Sequence, residues 1–600
     1  MFPLISVREL ESVLGPLANN FLQLYPPSRL LRGKGTWMPV IEIVSKASKS
    51  KTQVTVLESG WYLLALVPIL LALFLSLHGL KDSWDDGAIT AAFSQTWAHT
   101  GKIALTPGSA VVEGFSSILW FLVLSVPSFF GHHPDAGLVW MKVAAACVAV
   151  VSLRIIYLIA WRQFGDRGAA IVCALVLACC KPTLTEIQNG MEMNLAALLL
   201  MLLFYVLTRE EERGRIVYAS LLGFLLLLTR FEMPFTLMLL GCGFGYAAFR
   251  GRRGALSAGR LGVIAIAVIV SFLCISLWRH SEFGSWMPNT VYAKRFAPYR
   301  DWSTPLRFVS TRVKAMTEPM AVLGPGILIA LGVWLPAVQR KRLFWGRFGE
   351  IHPAILTLGS GCFLFGAAFG ENWGYPGRMV AAMVPFLILS IVGVSLGSVE
   401  ETSSRKTVLA LLVITQSFLW IHRLPGVPWE VSIAKVEPLG IGADRVRMAL
   451  HQDRLVVMMA DVGGSSVCCE HLTVIDSGML ADPTLARTGW AGFAGYFRQV
   501  RPELVETHST WAQDSGIYQQ GLLDTYSIVA SNGVRFFLRN DLFNKLVGEG
   551  AGPVLPVSSA PACSAGLEKD AQISLAKRTC IILGASGSRN SAVDEVAPHY

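Results

Sequence analysis

A bundle of membrane-crossing helices followed by a smaller α/β domain is the fold this sequence predicts, on three observations. Of 600 residues, 53% are hydrophobic and only 15% are charged, with a mean hydropathy of +0.50, well above that of a soluble globular chain. Apolar runs close to the roughly 20 residues a helix needs to cross a bilayer recur from residue 61 to residue 422. Beyond residue 422 these runs stop, and short strand-like stretches separated by Gly and Asp replace them.

Residues 1–60 mix short apolar pieces with Pro, Lys and Ser ("YPPSRLLRGKGTW", "SKASKSKTQ"). They lack the apolar core and small-residue cleavage site of a signal peptide, and are expected to form a poorly ordered cytoplasmic extension. The domain 61–422 follows, with spans expected near 61–80, 138–160, 169–185, 194–208, 216–230, 233–249, 261–278, 320–338, 353–369, 379–397 and 407–422, about eleven in all. The run "ILWFLVLSVPSFFG" at 118–131 is short and holds Pro127, so it reads as an interfacial or re-entrant piece.

Orientation supports that choice, because cytoplasmic loops carry the excess of Lys and Arg. With residues 1–60 inside and 118–131 not crossing, the inside loops are "WRQFGDRG", "TREEERGR", "RGRRGALSAGR", "QRKRLFWGRFGE" and "SVEETSSRK". All contain basic residues. The net charge of +10 is then largely topological, and no basic stripe with interleaved aromatics marks a nucleic-acid surface, so no nucleic-acid partner is expected.

Residues 423–600 carry "RLVVMMAD", "LTVID", "YSIVAS" and "VRFFLRN", the pattern of a soluble α/β domain. By the parity of the spans it lies outside the cytoplasm. Seven of the eleven cysteines fall in predicted spans as small hydrophobes. Cys468, Cys469, Cys563 and Cys580 lie in the external domain, where disulfides can form in any of three pairings. None has metal-site spacing with His, so no metal and no cofactor is expected.

The polar motifs then fall on one side. Outside loops hold "DSWDDGAIT", "PGSAVVEGFSS", "TEIQNGMEMN", "LTRFEMP", "EFGSWMPNTVYAKRF" and "GENWGYPGR". Carboxylates, amides, aromatics and cations gathered at one end of a bundle are how a site for a polar substrate is built. Each has a plainer reading. Asp85 or Asp86 could cap an interfacial helix, since Ile89, Phe93 and Trp97 follow at helical spacing and acids favour the positive helix end. Glu113 and Glu192 could be helix-start carboxylates, Arg230 and Glu232 an ordinary interfacial pair, and Lys294, Arg295 and Arg378 could snorkel to headgroups. All of them on one face is harder to explain by these separate roles.

In order along the chain, "WDDGAIT", "PGSAVVEGFSSILW", "NGMEMNLAALLL", "LLLLTRFEMP", "FGSWMPNTVYAK" and "ENWGYPGRMVAAMVPF" resemble the GT-C integral-membrane glycosyltransferases. Within these the chain is most similar to the terminal β-(1→2)-arabinofuranosyltransferase family. The likeness extends to "ADVGGSSVCCEHLTVIDSGMLADPTLAR" and "FRQVRPELVETHS", and covers about residues 60–540. It implies an enzyme of the bacterial cytoplasmic membrane that takes a sugar, arabinofuranose in the nearest family, from a polyprenyl-phosphate donor and passes it to a hydroxyl of a cell-envelope glycan outside the cytoplasm.

The same resemblance places the catalytic carboxylate in the first external loop. Adjacent helical residues point about 100° apart, so one of Asp85 and Asp86 meets the acceptor hydroxyl or the anomeric centre while the other caps or orients; the sequence leaves open which. Lys294, Arg378 and Arg230 are candidates for holding the donor phosphate without a metal. Glu113, Glu192, Asn289, Tyr292, Trp373 and Tyr375 are candidates for binding substrate. Other readings are a GT-C transferase for another sugar such as mannose, a transporter, and a non-enzymatic glycan-assembly protein. A transporter is expected to place its polar groups near mid-membrane, and here they sit at the external ends.

Overall fold

The computed structural model describes residues 60–131, 134–209, 214–251, 256–296, 313, 351–369, 378–398, 407, 410–413, 431–557, 560–564 and 578–583. The chain divides into two compact units, Met1–Trp61 and Tyr62–Tyr600. The extension expected at 1–60 lies almost wholly outside the described residues, as do the span at 320–338 and most of that at 407–422.

Helices stand where the apolar runs predict them. Gly60–His78, Asp135–Phe164 and Ala258–Phe283 are long and apolar enough to cross a bilayer, and Arg167–Ala178 with Lys181–Asn189 form a pair bent by 43° that passes the same test as one span. Shorter apolar helices follow at Met193–Thr208, Arg215–Thr229, Met233–Phe249, Pro353–Ala367 and Ala381–Leu396. Among the described residues, then, three helices, or four with the bent pair, reach across by length and composition; the count of eleven is not established. The piece Ile118–Ser128 has 11 residues and holds Pro127, about 16 Å of helix and half a hydrocarbon core.

The C-terminal α/β domain is borne out. Seven strands, β1 (Leu455–Met459), β2 (Leu472–Asp476), β3 (Leu504–Val505), β4 (Tyr526–Ser531), β5 (Val534–Arg539), β6 (Val554–Pro556) and β7 (Thr579–Leu583), form one sheet in the order β2-β1-β3-β5-β4-β7-β6. Strands β1, β2 and β3 run parallel to one another. Their near-continuous apolar sequences follow from burial on both faces. Val457, Leu504 and Phe536 pack into a core shared with the helix Asp85–Thr100, whereas Met458, Val505 and Phe537 pack on the other side with the helix Leu485–Val500. Of the three possible disulfide pairings, the structure has Cys468–Cys469 and Cys563–Cys580.

The first loop of the bundle is welded to this domain. The Ile433 and Ala434 N–H groups donate to the Ser83 and Lys81 carbonyls at 2.9 and 2.7 Å, and Asp85 N–H donates to Val431. Strand β2 lies at the edge of the sheet, and Thr106 and Ser109 cover it by hydrogen-bonding to the Leu472 and Val474 carbonyls at 2.7 and 2.9 Å. This removes the hazard of an open edge and fixes the helix Asp85–Thr100 against the sheet. Small residues let that helix approach closely: Gly87 packs so tightly on the Asn189 backbone that a Cβ there would collide with it.

Candidate functional site

A cavity opens where the bundle meets the domain, lined by Trp84, Asp86 and Lys294 on one side and Asp461, Asp476 and Trp511 on the other. The two adjacent aspartates have different surroundings there. Asp85 is 2% exposed, and its two oxygens accept the N–H groups of Gly463 and Gly464 at 2.8 and 2.7 Å. Those glycines open the short helix Gly463–Cys468, and a Cβ at Gly463 would strike Asp85. Burial, aided by the charge of Asp461, outweighs these donors and pushes the Asp85 carboxyl up to about 7. Asp86 instead leaves 27% of its side chain exposed and pairs with Arg378 at 2.8 Å.

Arg378 leads into a buried network. Its other terminal nitrogen lies 3.7 Å from Glu192, which also pairs with Arg230; Arg230 in turn pairs with Glu232. The chain reaches this arrangement because Glu192 and Arg230 sit at breaks between helices, just before Met193–Thr208 and just after Arg215–Thr229. The ammonium of Lys294, which follows the short helix Asn289–Ala293, makes no hydrogen bond or ion pair among the described residues. Burial and the charges of Arg378 and Arg230 push its ammonium down to about 8 against the pull of Asp86 and Glu232. The Arg378 and Arg230 guanidinium groups that act on Lys294 also favour an incoming anion beside it.

The domain side is held differently. Asp476, at the end of β2, accepts from Gly478 and Ala481 N–H, both at 2.7 Å, and burial raises its carboxyl to about 7. Asp461, in the left-handed region at φ 52°, accepts from His508 Nε2 at 2.8 Å, while His508 Nδ1 meets Glu506 at 2.6 Å. Burial opposes the imidazolium, but the two carboxylates overcome it and raise His508 well above its ordinary value. Both ring nitrogens then donate, which leaves no lone pair for base catalysis.

The structure thus brings Asp85, Asp86 and Lys294 to one cavity and ties Arg378, Glu192 and Arg230 to it through Asp86. Two other candidates are engaged elsewhere. Glu113 forms a buried two-point pair with Arg279 at 2.7 and 2.9 Å, and Asn289 donates to the carbonyls of Met479, Leu480 and Asp482. Tyr292 packs partly buried against the domain core, beneath Arg295 at 5.0 Å. Trp373 and Tyr375 lie outside the described residues. Sequence reading gave no role to Asp461, Asp476, Glu506, His508 or Trp511, although "ADVGG" and "VETHS" carry three of them, Asp461, Glu506 and His508. No group of three or more His, Cys, Asp or Glu is placed to hold a metal among the described residues.

No protein-family model matches the chain, and no curated protein matches it by sequence. Solved structures do. ArnT from Cupriavidus metallidurans bound to undecaprenyl phosphate superposes with a TM-score of 0.48 at 13% identity, over 80% of this chain and 98% of that one. The Archaeoglobus fulgidus oligosaccharyltransferase complex with Zn and sulfate gives 0.43 at 12% identity, over 79% and 73%. ArnT from Cupriavidus metallidurans in the apo state matches with a TM-score of 0.50 at 14% identity, covering 81% of this chain and 99% of that chain, so the fold described above is one the two proteins share.

Proposed function

We propose that this chain is a GT-C membrane glycosyltransferase that moves a sugar, arabinofuranose by its sequence resemblance, from a polyprenyl-phosphate donor to a hydroxyl of a cell-envelope glycan. The carrying observation is that a partly exposed carboxylate, Asp86, shares its cavity with Lys294 and its ion pair with Arg378. In this reading the site faces the outside of a bacterial cytoplasmic membrane. Asp85 is the structural member of the aspartate pair and Asp86 the reactive one.

The chemistry follows from those positions. Lys294 and Arg378 bind the donor phosphate, Arg378 as a two-point fork and Lys294 as a point charge. Phosphate competes with Asp86 for Arg378, so the carboxylate is released as a base when donor arrives. Asp86 takes the acceptor proton, the acceptor oxygen bonds to the anomeric carbon, and the bond to the phosphate oxygen breaks with its electron pair. The products are the glycosylated acceptor and a polyprenyl phosphate whose charge the cations stabilise.

The test is transfer by the purified full-length chain from polyprenyl-phosphate arabinofuranose and, in parallel, polyprenyl-phosphate mannose, with and without EDTA. Transfer of arabinose that resists EDTA is expected. Transfer of mannose alone would replace the sugar, loss with EDTA would require a metal, and no transfer from either donor would overturn the reading.

A further inference from the structure

Three carboxylates on the domain side share a feature of the sheet. Asp461 lies two residues past β1, Asp476 ends β2 and Glu506 directly follows β3, and these three strands are parallel neighbours. The groups therefore sit at the C-terminal ends of adjacent parallel strands, where open α/β sheets bind their ligands. Asp461 and Asp476 line the cavity, and Glu506 reaches it through His508.

Within that crevice Asp461 is fixed from every side but one. His508 holds its Oδ2 at 2.8 Å and is itself braced by Glu506. The turn that carries Asp461 continues into Gly463 and Gly464, which Asp85 grips. The other oxygen, Oδ1, makes no hydrogen bond among the described residues, and the side chain is 19% exposed. Trp511 on the same side and Trp84 across from it supply apolar surface to the same cavity. One immobilised acceptor oxygen beside aromatic surface suits a ligand with a hydroxyl next to an apolar C–H face, which describes a sugar ring.

We infer that Asp461, clamped by His508 and flanked by Trp84 and Trp511, is a positioning residue that binds a hydroxyl of the acceptor glycan on the domain side of the cavity. The inference rests on the transferase reading for the word acceptor, but the binding it asserts does not depend on transfer. It divides the cavity: lipid phosphate meets Lys294 and Arg378 on the bundle side, and the glycan rests on the α/β domain. The contribution of Asp461 is orientation, with proton removal left to Asp86.

The test is calorimetric titration of the full-length chain in detergent with octyl glycosides of a linear arabinofuranosyl and a linear mannosyl tetrasaccharide, and separately with polyprenyl phosphate. Asp461→Asn keeps the side-chain shape and tolerates the left-handed backbone. It is expected to weaken the bound glycoside roughly ten- to a hundredfold, the worth of one hydrogen bond to a charged group, and to leave polyprenyl phosphate binding within about twofold. Trp84→Phe, on the opposite side of the cavity, is expected to weaken the glycoside as well, and so serves if the first variant does not fold. Where transfer is measurable, the acceptor KM rises while donor KM holds. The inference is overturned if neither glycoside binds the unmodified chain, if the variants bind it equally well, or if polyprenyl phosphate weakens in parallel. Absence of transfer with glycoside binding intact would remove the transferase reading alone.

Discussion

On the bundle side of the cavity, Asp86, Arg378, Glu192 and Arg230 bond to one another through side chains. Where the domain takes part, the contacts are of another kind: Asp85 of the bundle rests on two N–H groups of the domain, Asp476 likewise on backbone N–H groups, and Asp461 on a histidine braced by a second carboxylate. An ion pair between two side chains can exchange partners when an anion arrives, since each long side chain has other rotamers within reach. A carboxylate bridging two backbone donors has fixed geometry and moves only if the fold moves. The bundle wall is thus suited to charge that comes and goes with the donor, and the domain wall to holding a neutral, hydroxyl-rich acceptor in register.

The sharpest way to break that comparison is to remove the carboxylates one at a time. Asp86→Asn keeps the shape and loses the base, and is expected to lower transfer by about 10²- to 10⁴-fold in folded protein. Asp85→Asn mimics the protonated carboxyl that burial favours and is expected to keep most of the activity. Transfer assays on both variants decide it: the reverse order would make Asp85 the reactive group and turn the two walls around.

Next in size is the phosphate site. Lys294→Ala and Arg378→Ala are each expected to lose about 1.5–3 kcal/mol of polyprenyl-phosphate affinity, because charge-assisted contacts in a partly dry site are strong. Arg378→Lys keeps the charge without the fork and should fall between Arg378→Ala and the parent. Direct binding of the lipid, measured on all three, would refute the clamp if lysine replaced arginine at no cost.

The latch comes third. Asp85→Ala orphans the Gly463 and Gly464 N–H groups and is expected to cost about 1–3 kcal/mol of stability, read as a lower melting temperature in detergent. An unchanged melting temperature would show that the domain is held by the Ser83–Ile433 and Thr106–Leu472 contacts alone.

How far each wall was legible follows from the kind of bond that builds it. The bundle and its domain could be read from apolar run length and its end near residue 422, and the bundle-side ions announced themselves as charges beside apolar runs: Asp85, Asp86, Arg230, Lys294, Arg378. The latch left no such sign, because the partners of Asp85 are peptide N–H groups 378 and 379 residues away, and a peptide N–H is the same in every sequence. Asp461 and His508 were passed over for a related reason. Forty-seven residues separate them, and only the parallel pairing of β1 with β3 brings the ends of those strands together. Glu113 stands beside the same motifs, and its pairing was hidden because Arg279 lies 166 residues on, at the far end of an apolar helix.

The smallest expected effect tests the bundle wall with protons instead of mutations. Lys294 is held near 8 by burial and by the two guanidinium groups, below the ordinary lysine value near 10.4. A depressed lysine loses its charge as pH rises through its own value, so the cation proposed to meet phosphate is about nine-tenths charged at pH 7 and about nine-tenths neutral at pH 9. Bound phosphate favours the ammonium and pulls the titration upward, which means the loss of donor affinity across this range approaches that of Lys294→Ala without exceeding it. The arginines stay charged throughout, so most of the pH slope belongs to Lys294 and should be lost in Lys294→Ala. Asp85 and Asp476, near 7, complete the second half of their ionisation over the same range, and their share is the shallower slope expected to remain in Lys294→Ala. Polyprenyl-phosphate binding measured from pH 7 to 9 in both proteins is the check. A slope just as steep in Lys294→Ala would place the titrating group elsewhere and leave the bundle wall with arginines as its phosphate ligands.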